Sequence, residues 1–173
     1  GEILQYPSIT DLDIMEISNE VINGAKFFYH ENLDILHKEH SQSKKVRLLM
    51  ADGRLHIIHT ERKYDIISSE PSNPWIAGVS NLFTKEFFQY SREKLNDGGI
   101  FCCWLQVYQT NLEMIAMVMR TFKSVFPNMT LWQSQGKDLI LIGRNSDSNK
   151  VELDTISSRL KTVAPYSYLE KYN

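Results

Sequence analysis

Short apolar runs alternate with amphipathic stretches along most of this chain. Runs of five to nine residues that are continuously apolar or alternate apolar with polar positions predict strands at 9–17, 46–54, 64–69 and 100–107. Two more strands are predicted at 129–133 and 139–143, separated by the tripeptide QGK as in a hairpin. The pattern therefore predicts six strands, spread over the first 143 residues.

The amphipathic stretches between the strands predict helices with recognisable start signals. The first helix is predicted over 20–28, with Ser18 or Asn19 as its N-cap, and a short second helix over 55–62. The third covers 85–95, is capped by Thr84 and ends at the turn over 96–99. The fourth runs from a Thr110/Glu113 capping box to Pro127. Alternating strands and helices predict an α/β doubly wound sheet rather than a sandwich. We expect one domain over 1–144, followed by a polar linker and a weakly helical tail over 145–173.

Composition narrows the class of partner. The 173 residues are 42% hydrophobic, which predicts a folded domain. The 19 basic and 21 acidic residues nearly balance, so the net charge does not indicate binding to nucleic acid or to an anionic membrane. No signal peptide and no apolar run near ~18 residues is present, so we expect a soluble segment without direct membrane contact. Neighbouring Cys102 and Cys103 point to opposite faces of a strand, which disfavours a mutual disulfide and favours a cytoplasmic setting.

Three carboxylates stand at predicted strand ends: Glu16, Asp52 and Glu70. In open α/β sheets ligands bind at the carboxyl ends of strands, so Glu70, which opens the loop EPSNPW, is a catalytic candidate. The alternative for Glu70 is a loop carboxylate bonded to nearby backbone amides. For Glu16 it is a cap or ion pair at a strand end, and for Asp52 it is a plain turn with Gly53.

Other candidates lie near the same strand ends. Trp75 and Trp104 flank the expected mouth and could stack on an adenine or cover an amine, with core packing as the alternative. Gln106 could reach a substrate or serve as a surface or capping residue. His37 and His40 have metal-ligand spacing but no third ligand nearby, so we expect a solvated face and no metal.

Several linked segments resemble one family. The runs LDIMEI, MADGR, KYDIISSEPSNPW, LFTKEFF and LNDGGIFCCW, within 9–143, resemble the spermidine and spermine synthases, the aminopropyltransferase branch of the class I methyltransferase-like folds. Within that family the chain resembles most the bacterial synthase-like group often fused to membrane segments. The resemblance implies a Rossmann-like doubly wound sheet of the class I methyltransferase type. It also implies a cytoplasmic location, either free or as the cytosolic domain of a membrane protein.

The resemblance also implies roles for individual residues. Glu16 would bind the ribose hydroxyls of decarboxylated S-adenosylmethionine, and Asp52, in a turn with Gly53, would take the adenine amino group. Glu70 would accept a proton from the attacking amine. Glu70 and Asn73 stand where the family has two aspartates, so Asn73 keeps hydrogen-bonding capacity but lacks a charge to attract a polyamine. With Asn73, we assign Trp75 and Gln106 to substrate binding.

The beginning of the chain differs from the family pattern. GEILQYP resembles the end of the helix that follows the family's glycine-rich turn, so we expect the first strand and that turn to belong to a longer protein. Without that central strand, we expect segments 9–17 and 64–69 to pair either with each other or with another chain, and the second outcome would produce a homo-oligomer.

Three functions stay open at this point. The first is aminopropyl transfer from decarboxylated S-adenosylmethionine, the co-substrate, to a small-molecule amine such as a polyamine. The second is an S-adenosylmethionine-dependent methyltransferase on the same scaffold. The third is a non-catalytic module for ligand binding or assembly.

Overall fold

The computed structural model describes residues 3, 6–32, 46–72, 74–108, 110–134, 138–148 and 152–161. Helices and strands alternate through most of these residues, which confirms the predicted mixed α/β class. The strands are β1 (Leu12–Glu16), β2 (Val46–Met50), β3 (Tyr64–Ser69), β4 (Leu95–Gln106), β5 (Thr130–Gln133) and β6 (Asp138–Arg144). The helices are α1 (Asn19–Gly24), α2 (Tyr29–Asn32), α3 (Gly53–His59), α4 (Lys85–Glu93), α5 (Leu112–Val125) and α6 (Leu153–Leu160).

The chain forms two compact units. The first comprises Gly1–Gly53 with Val151–Asn173, and its strands β1 and β2 pair in parallel from Leu12 opposite Val46 to Glu16 opposite Met50. The Arg47 guanidinium on β2 donates from Nε to Asp13 Oδ1 of β1 at 2.6 Å, which supports this register. The predicted domain division at residue 144 stays a prediction.

The second unit comprises Arg54–Lys150 and contains a four-stranded sheet in the order β3-β4-β6-β5. Strands β3 and β4 run parallel, whereas β6 is antiparallel to both β4 and β5. Parallel neighbours need a crossover connection, and α4 lies in the chain between β3 and β4 to provide it. The predicted antiparallel arrangement of the last two strands is confirmed, while the tripeptide between them lies outside the described residues.

One face of this sheet carries the core of the second unit. Its buried rings include Phe87 and Phe88 of α4, Phe101 of β4, Phe122 of α5 and Phe126 just after α5. Most of the ring pairs meet at an angle, with centroids 5.0 to 6.2 Å apart, whereas Phe101 and Phe126 stack in parallel at 5.6 Å. Aromatic pairs of this kind each add about 0.5–1.5 kcal/mol beyond the burial of their area.

The start of β4 differs from the prediction. The predicted turn at 96–99 lies inside the strand, as an irregular segment where the pairing jumps from Tyr64 opposite Leu95 to Ile66 opposite Ile100. Asn145, just past β6, holds this segment: its backbone oxygen accepts from Gly98 N at 2.7 Å and its backbone N–H donates to Gly99 O at 2.8 Å. A distant residue therefore keeps turn-forming residues in the sheet, with Gly98 at a φ of 74° that favours glycine.

The helix start signals were predicted with mixed success. The Ser18 and Thr84 hydroxyl oxygens accept from backbone N–H groups three residues on, which confirms both as N-caps. The predicted cap Thr110 is wrong, because Asn111 caps α5 by accepting from Met114 N at 2.8 Å. The single helix predicted over 20–28 is also wrong: it is α1 followed by a 3-10 turn over Ala25–Phe28.

The strands that flank the expected central strand have other partners. The prediction that β1 pairs directly with β3 is wrong, because among the described strands β1 pairs with β2 and β3 pairs with β4. Contact with a second copy of the chain stays a prediction.

In the described part of the chain, no helix combines the length and the apolar character that a bilayer crossing requires.

Candidate active site

The first group of predicted residues lies at the carboxyl edge of the β1–β2 pair. Glu16 ends β1, and Ala51 N, just past β2, donates to the Glu16 backbone oxygen at 3.1 Å, which extends the parallel ladder by one bond. Asp52 follows Ala51, so Glu16 and Asp52 leave the same edge of adjacent strands. The structure thus places the two predicted carboxylates at one edge of the β1–β2 pair.

Glu16 combines a local structural role with a free acceptor. Its Oε1 accepts from Ser18 N at 2.7 Å, and Ser18 in turn caps α1. Its Oε2 has no partner among the described residues. The capping alternative considered for Glu16 therefore uses one oxygen of the carboxylate and leaves the other available to accept from a ligand hydroxyl.

Asp52 and Gly53 form the start of α3 rather than a tight turn. Asp52 is exposed, and Gly53 is the first residue of the helix with a φ outside the left-handed region. A Cβ atom on Gly53 would lie 3.7 Å from Met15 Cβ, an ordinary van der Waals distance. The turn that we expected at Asp52 and Gly53 is therefore wrong, because Gly53 begins α3.

The second group lies in the second unit, around a cavity of about 260 Å³ that we call the Glu70 cavity. Its lining residues are Ser68, Glu70, Cys102, Trp104 and Ile140. Glu70 follows β3 directly and is exposed, and the Ser68 hydroxyl donates to its Oε1 at 3.4 Å. The predicted catalytic carboxylate thus stands at a strand end beside an opening large enough for a small ligand.

The thiols of Cys102 and Cys103 lie on opposite faces of β4. Burial raises the pKa of Cys102, and the negative charge of Glu70 raises it further. Burial raises the pKa of Cys103, on the core face, to about 12. Both thiols are therefore neutral near pH 7, and Cys102 contributes an uncharged, weakly polar surface to the Glu70 cavity.

The alternation of side chains along β4 decides which residues face the cavity. Phe101, Cys103 and Leu105 are fully buried in the core, while Cys102 and Trp104 line the cavity on the opposite face. Core packing, the alternative considered for Trp104, is therefore wrong. Side chains alternate between the two faces of a strand with a period of two, and Trp104 lies three residues from Phe101. The sequence alone therefore could have placed Trp104 on the face away from the phenylalanine core.

The remaining predicted residues are placed less favourably. Trp75 is 37% exposed and is absent from the lining of the Glu70 cavity. Gln106 ends β4 and is only 1% exposed, so the surface role considered for it is wrong. Its side-chain nitrogen has no hydrogen-bond partner among the described residues. Asn73 lies outside the described residues, as do His37 and His40.

Sequence reasoning missed three of the lining residues: Ser68, Cys102 and Ile140. Ser68 and Cys102 share the parity of Glu70 and Trp104 on their strands, so alternation could have found them. Ile140 comes from β6, and it faces Trp104 only because the antiparallel register places the two residues opposite each other. No signal in one sequence fixes that register.

A larger depression of about 380 Å³ lies elsewhere in the second unit and contains none of the predicted site residues. Two of its cations are engaged with backbone carbonyls: Lys63 Nζ donates to Glu93 O at 2.9 Å and Arg92 Nη1 donates to Val125 O at 2.8 Å. We assign it a structural role.

Comparisons with known proteins identify the family of this chain. A sequence profile of the spermine/spermidine synthase domain matches residues 1–135. A polyamine aminopropyltransferase of Bacillus cereus is 31% identical over 131 residues, which cover 76% of this chain and 46% of the relative. The chain thus spans about half the length of the curated relatives that it matches.

Solved structures show the same fold. A spermidine synthase in complex with the transition-state analogue AdoDATO superposes with a TM-score of 0.70 at 17% identity, covering 86% of this chain and 51% of that one. Human methyltransferase-like protein 13 in complex with SAH superposes with a TM-score of 0.65 at 19% identity, covering 86% of this chain and 67% of that one. The fold is therefore shared by aminopropyltransferases and methyltransferases.

Proposed function

This chain belongs to the spermine/spermidine synthase family, and from that premise we propose that it carries out aminopropyl transfer from decarboxylated S-adenosylmethionine to an amine. The observation that carries the proposal is the position of Glu70, whose carboxylate follows β3 at the mouth of a small cavity. A small-molecule amine is the proposed acceptor, and the proposal requires no metal.

Glu70 is proposed as the general base. An amine arrives as an ammonium ion near pH 7, and its nitrogen has no lone pair until a proton leaves. Glu70 would take that proton. The amine nitrogen then forms a bond to the aminopropyl carbon attached to sulfur, the carbon–sulfur bond breaks, and its electron pair stays on sulfur in methylthioadenosine. Exposure of Glu70 gives the proton a path to solvent after each turnover.

Glu16 and Asp52 are proposed to hold the nucleoside, which would supply the aminopropyl carbon and the sulfur leaving group. Glu16 Oε2, which has no partner in the part of the chain that the structure describes, supports this role, because a carboxylate oxygen at the edge of the β1–β2 pair can accept from a ribose hydroxyl. Asp52 leaves the same edge two residues beyond Met50, which pairs with Glu16.

The direct test measures release of methylthioadenosine by the full natural protein, supplied with decarboxylated S-adenosylmethionine and a panel of amines. Glu70→Gln keeps the size of the side chain but removes its basic oxygen, so we expect turnover to fall at least ~100-fold with unchanged nucleoside affinity. Glu61→Gln is the matched control, because Glu61 is an exposed residue before the start of β3. Equal activity of the wild type and Glu70→Gln would remove Glu70 from the mechanism.

A binding measurement separates the rival functions. Calorimetric titration with methylthioadenosine and with S-adenosylhomocysteine compares the products of aminopropyl and methyl transfer. Tighter binding of methylthioadenosine supports aminopropyl transfer, and tighter binding of S-adenosylhomocysteine would replace it with methyl transfer. Binding of neither would favour a non-catalytic module.

A further inference from the structure

The carboxylate of Glu70 has a hydrogen-bond donor on its own segment of chain. Ser68 precedes Glu70 by two residues, a spacing that places side chains on one side of an extended chain, and both residues line the Glu70 cavity. The Ser68 hydroxyl donates to Glu70 Oε1 at 3.4 Å, and Glu70 Oε2 has no partner among the described residues. One oxygen of the carboxylate is therefore engaged by Ser68, and the other is available to accept a proton.

The pairing of β3 with β4 brings a third polar group to the same place. Ser68 lies opposite Cys102 in the parallel ladder, and Cys102 also lines the cavity. Burial raises the pKa of Cys102, and the negative charge of Glu70 raises it further. The hydroxyl, the carboxylate and the thiol thus form one cluster, in which the thiol responds to the position of the charge on Glu70.

An exposed glutamate needs a contact to hold its carboxylate in one place. Glu70 is exposed, and its side chain has several rotatable bonds, so ordering it costs conformational entropy. Ser68 has a short side chain on a strand whose backbone is fixed by its pairing with β4, so its hydroxyl is a stationary donor. A base that is displaced by about 1 Å from its proton can lose ~100-fold in rate, so even a weak contact of this kind matters for catalysis.

Resting on the proposed aminopropyl transfer, we propose that Ser68 is a positioning residue for Glu70. Its hydroxyl holds Glu70 Oε1, and Glu70 Oε2 then takes the proton from the amine. Ser68 itself exchanges no proton with the amine and contacts the reaction only through Glu70.

The kinetic test compares three variants of the full natural protein by their release of methylthioadenosine. Ser68→Ala removes the hydroxyl and Ser68→Thr keeps it. Ser69→Ala is the matched control, because Ser69 lies opposite Cys103 on the core face. We expect Ser68→Ala to lower kcat about threefold to tenfold with little change in KM, the size expected for one hydrogen bond that water also contests. Ser68→Thr and Ser69→Ala should keep the wild-type kcat. Equal losses in Ser68→Ala and Ser68→Thr, or no loss in Ser68→Ala, would overturn the inference.

A second test needs no turnover and uses Cys102 as the reporter. The apparent pKa of its thiol is measured from the pH dependence of its alkylation by iodoacetamide, with the modified residue identified by tandem mass spectrometry. A carboxylate released from Ser68 spends less time near Cys102, so Ser68→Ala should lower this pKa towards the value in Glu70→Gln. In the Glu70→Gln background, Ser68→Ala should have no further effect, since the charge is already absent. The same lowering in both backgrounds would show that Ser68 does not act through Glu70.

The two tests separate this inference from the function on which it rests. A wild-type protein that releases no methylthioadenosine with any amine would overturn the proposed function, and the titration of Cys102 would still decide whether Ser68 holds Glu70. Normal turnover together with an unchanged Cys102 pKa in Ser68→Ala would leave aminopropyl transfer standing and overturn the role of Ser68. Ser68 is exposed, so both of its variants are expected to fold.

Discussion

Replacing Gly143 by alanine tests the packing that holds β6 against α5. Gly143 is buried in β6, where it pairs with Phe101 across the sheet. A Cβ atom built on Gly143 would lie 2.6 Å from Phe126 Cδ1 and 2.8 Å from Phe126 Cβ, and closer still to Phe126 Cγ. Ordinary contact needs about 3.4 Å or more, so the ring would have to move by nearly 1 Å.

The ring of Phe126 has no room to move. It is fully buried, stacks on Phe101 at 5.6 Å and contacts Phe122 with centroids 5.0 Å apart. Overpacking of a core costs about 1–3 kcal/mol and occasionally more. Alanine would recover roughly 0.5–1 kcal/mol of the backbone entropy that glycine loses in a strand. After this recovery is subtracted, we expect the free energy of unfolding to fall by about 0.5–2 kcal/mol.

Tryptophan fluorescence during urea unfolding is a suitable assay, because all three tryptophans lie in the unit formed by Arg54–Lys150. Phe126→Ala removes two of the three close atoms and should by itself cost about 3–5 kcal/mol. Because Gly143→Ala clashes less when residue 126 is alanine, the double variant should be less destabilised than the sum of the single variants by about 1 kcal/mol or more. A Gly143→Ala protein as stable as the wild type would refute the predicted contact between β6 and Phe126.

Three further predictions use the same unit. Burial raises the pKa of Cys103 to about 12, so the folded state holds the thiol proton more tightly than the unfolded state does. The stabilisation of the folded state is therefore complete below pH 9, and it declines by about 1.4 kcal/mol per pH unit between pH 9 and 12. Urea unfolding at pH 8 to 11 should show a shallower decline for Cys103→Ala, and parallel curves would contradict it. Asn111→Ala should lower stability by about 1 kcal/mol because it removes the cap of α5, whereas Thr110→Ala should cost less than ~0.5 kcal/mol; the reverse order would show that Thr110 is the cap. Glu70→Gln should speed alkylation of Cys102 at pH 8, since it removes a charge that raises the pKa of that thiol, and a slower reaction would refute the proximity of the two groups.

Local patterns predicted the elements best where tertiary contacts agree with them. Strand β3 was predicted to the residue, because its apolar run is bounded by charged residues before it and by a proline after it. The start of β4 was missed for the opposite reason. Its Asn-Asp-Gly-Gly segment has strong turn propensity, but hydrogen bonds from Asn145, 46 or more residues away, keep it in the sheet. Such long-range hydrogen bonds leave no trace in a local window.

In the candidate site, too, some residues follow from local sequence patterns and others depend on long-range pairing of strands. The positions of Glu16 and Glu70 at strand ends follow from hydrophobic runs that stop at a carboxylate, so the sequence was sufficient for them. The apolar part of the Glu70 cavity depends on the register between β4 and β6, which brings Ile140 to Trp104. Register is fixed by the packing of whole strands against the core, and one residue of slip would turn Ile140 to the other face.

The alternation along β4 also has a consequence for how this protein can change over time. Phe101, Cys103 and Leu105 contribute to the stability of the domain, and their immediate neighbours Cys102 and Trp104 line the Glu70 cavity, the proposed ligand site. Mutations at the second set can alter which compound is accepted while the first set keeps the domain folded. Selection for a new acceptor and selection for foldability therefore act on adjacent codons with little conflict, which favours rapid divergence of specificity on a constant scaffold.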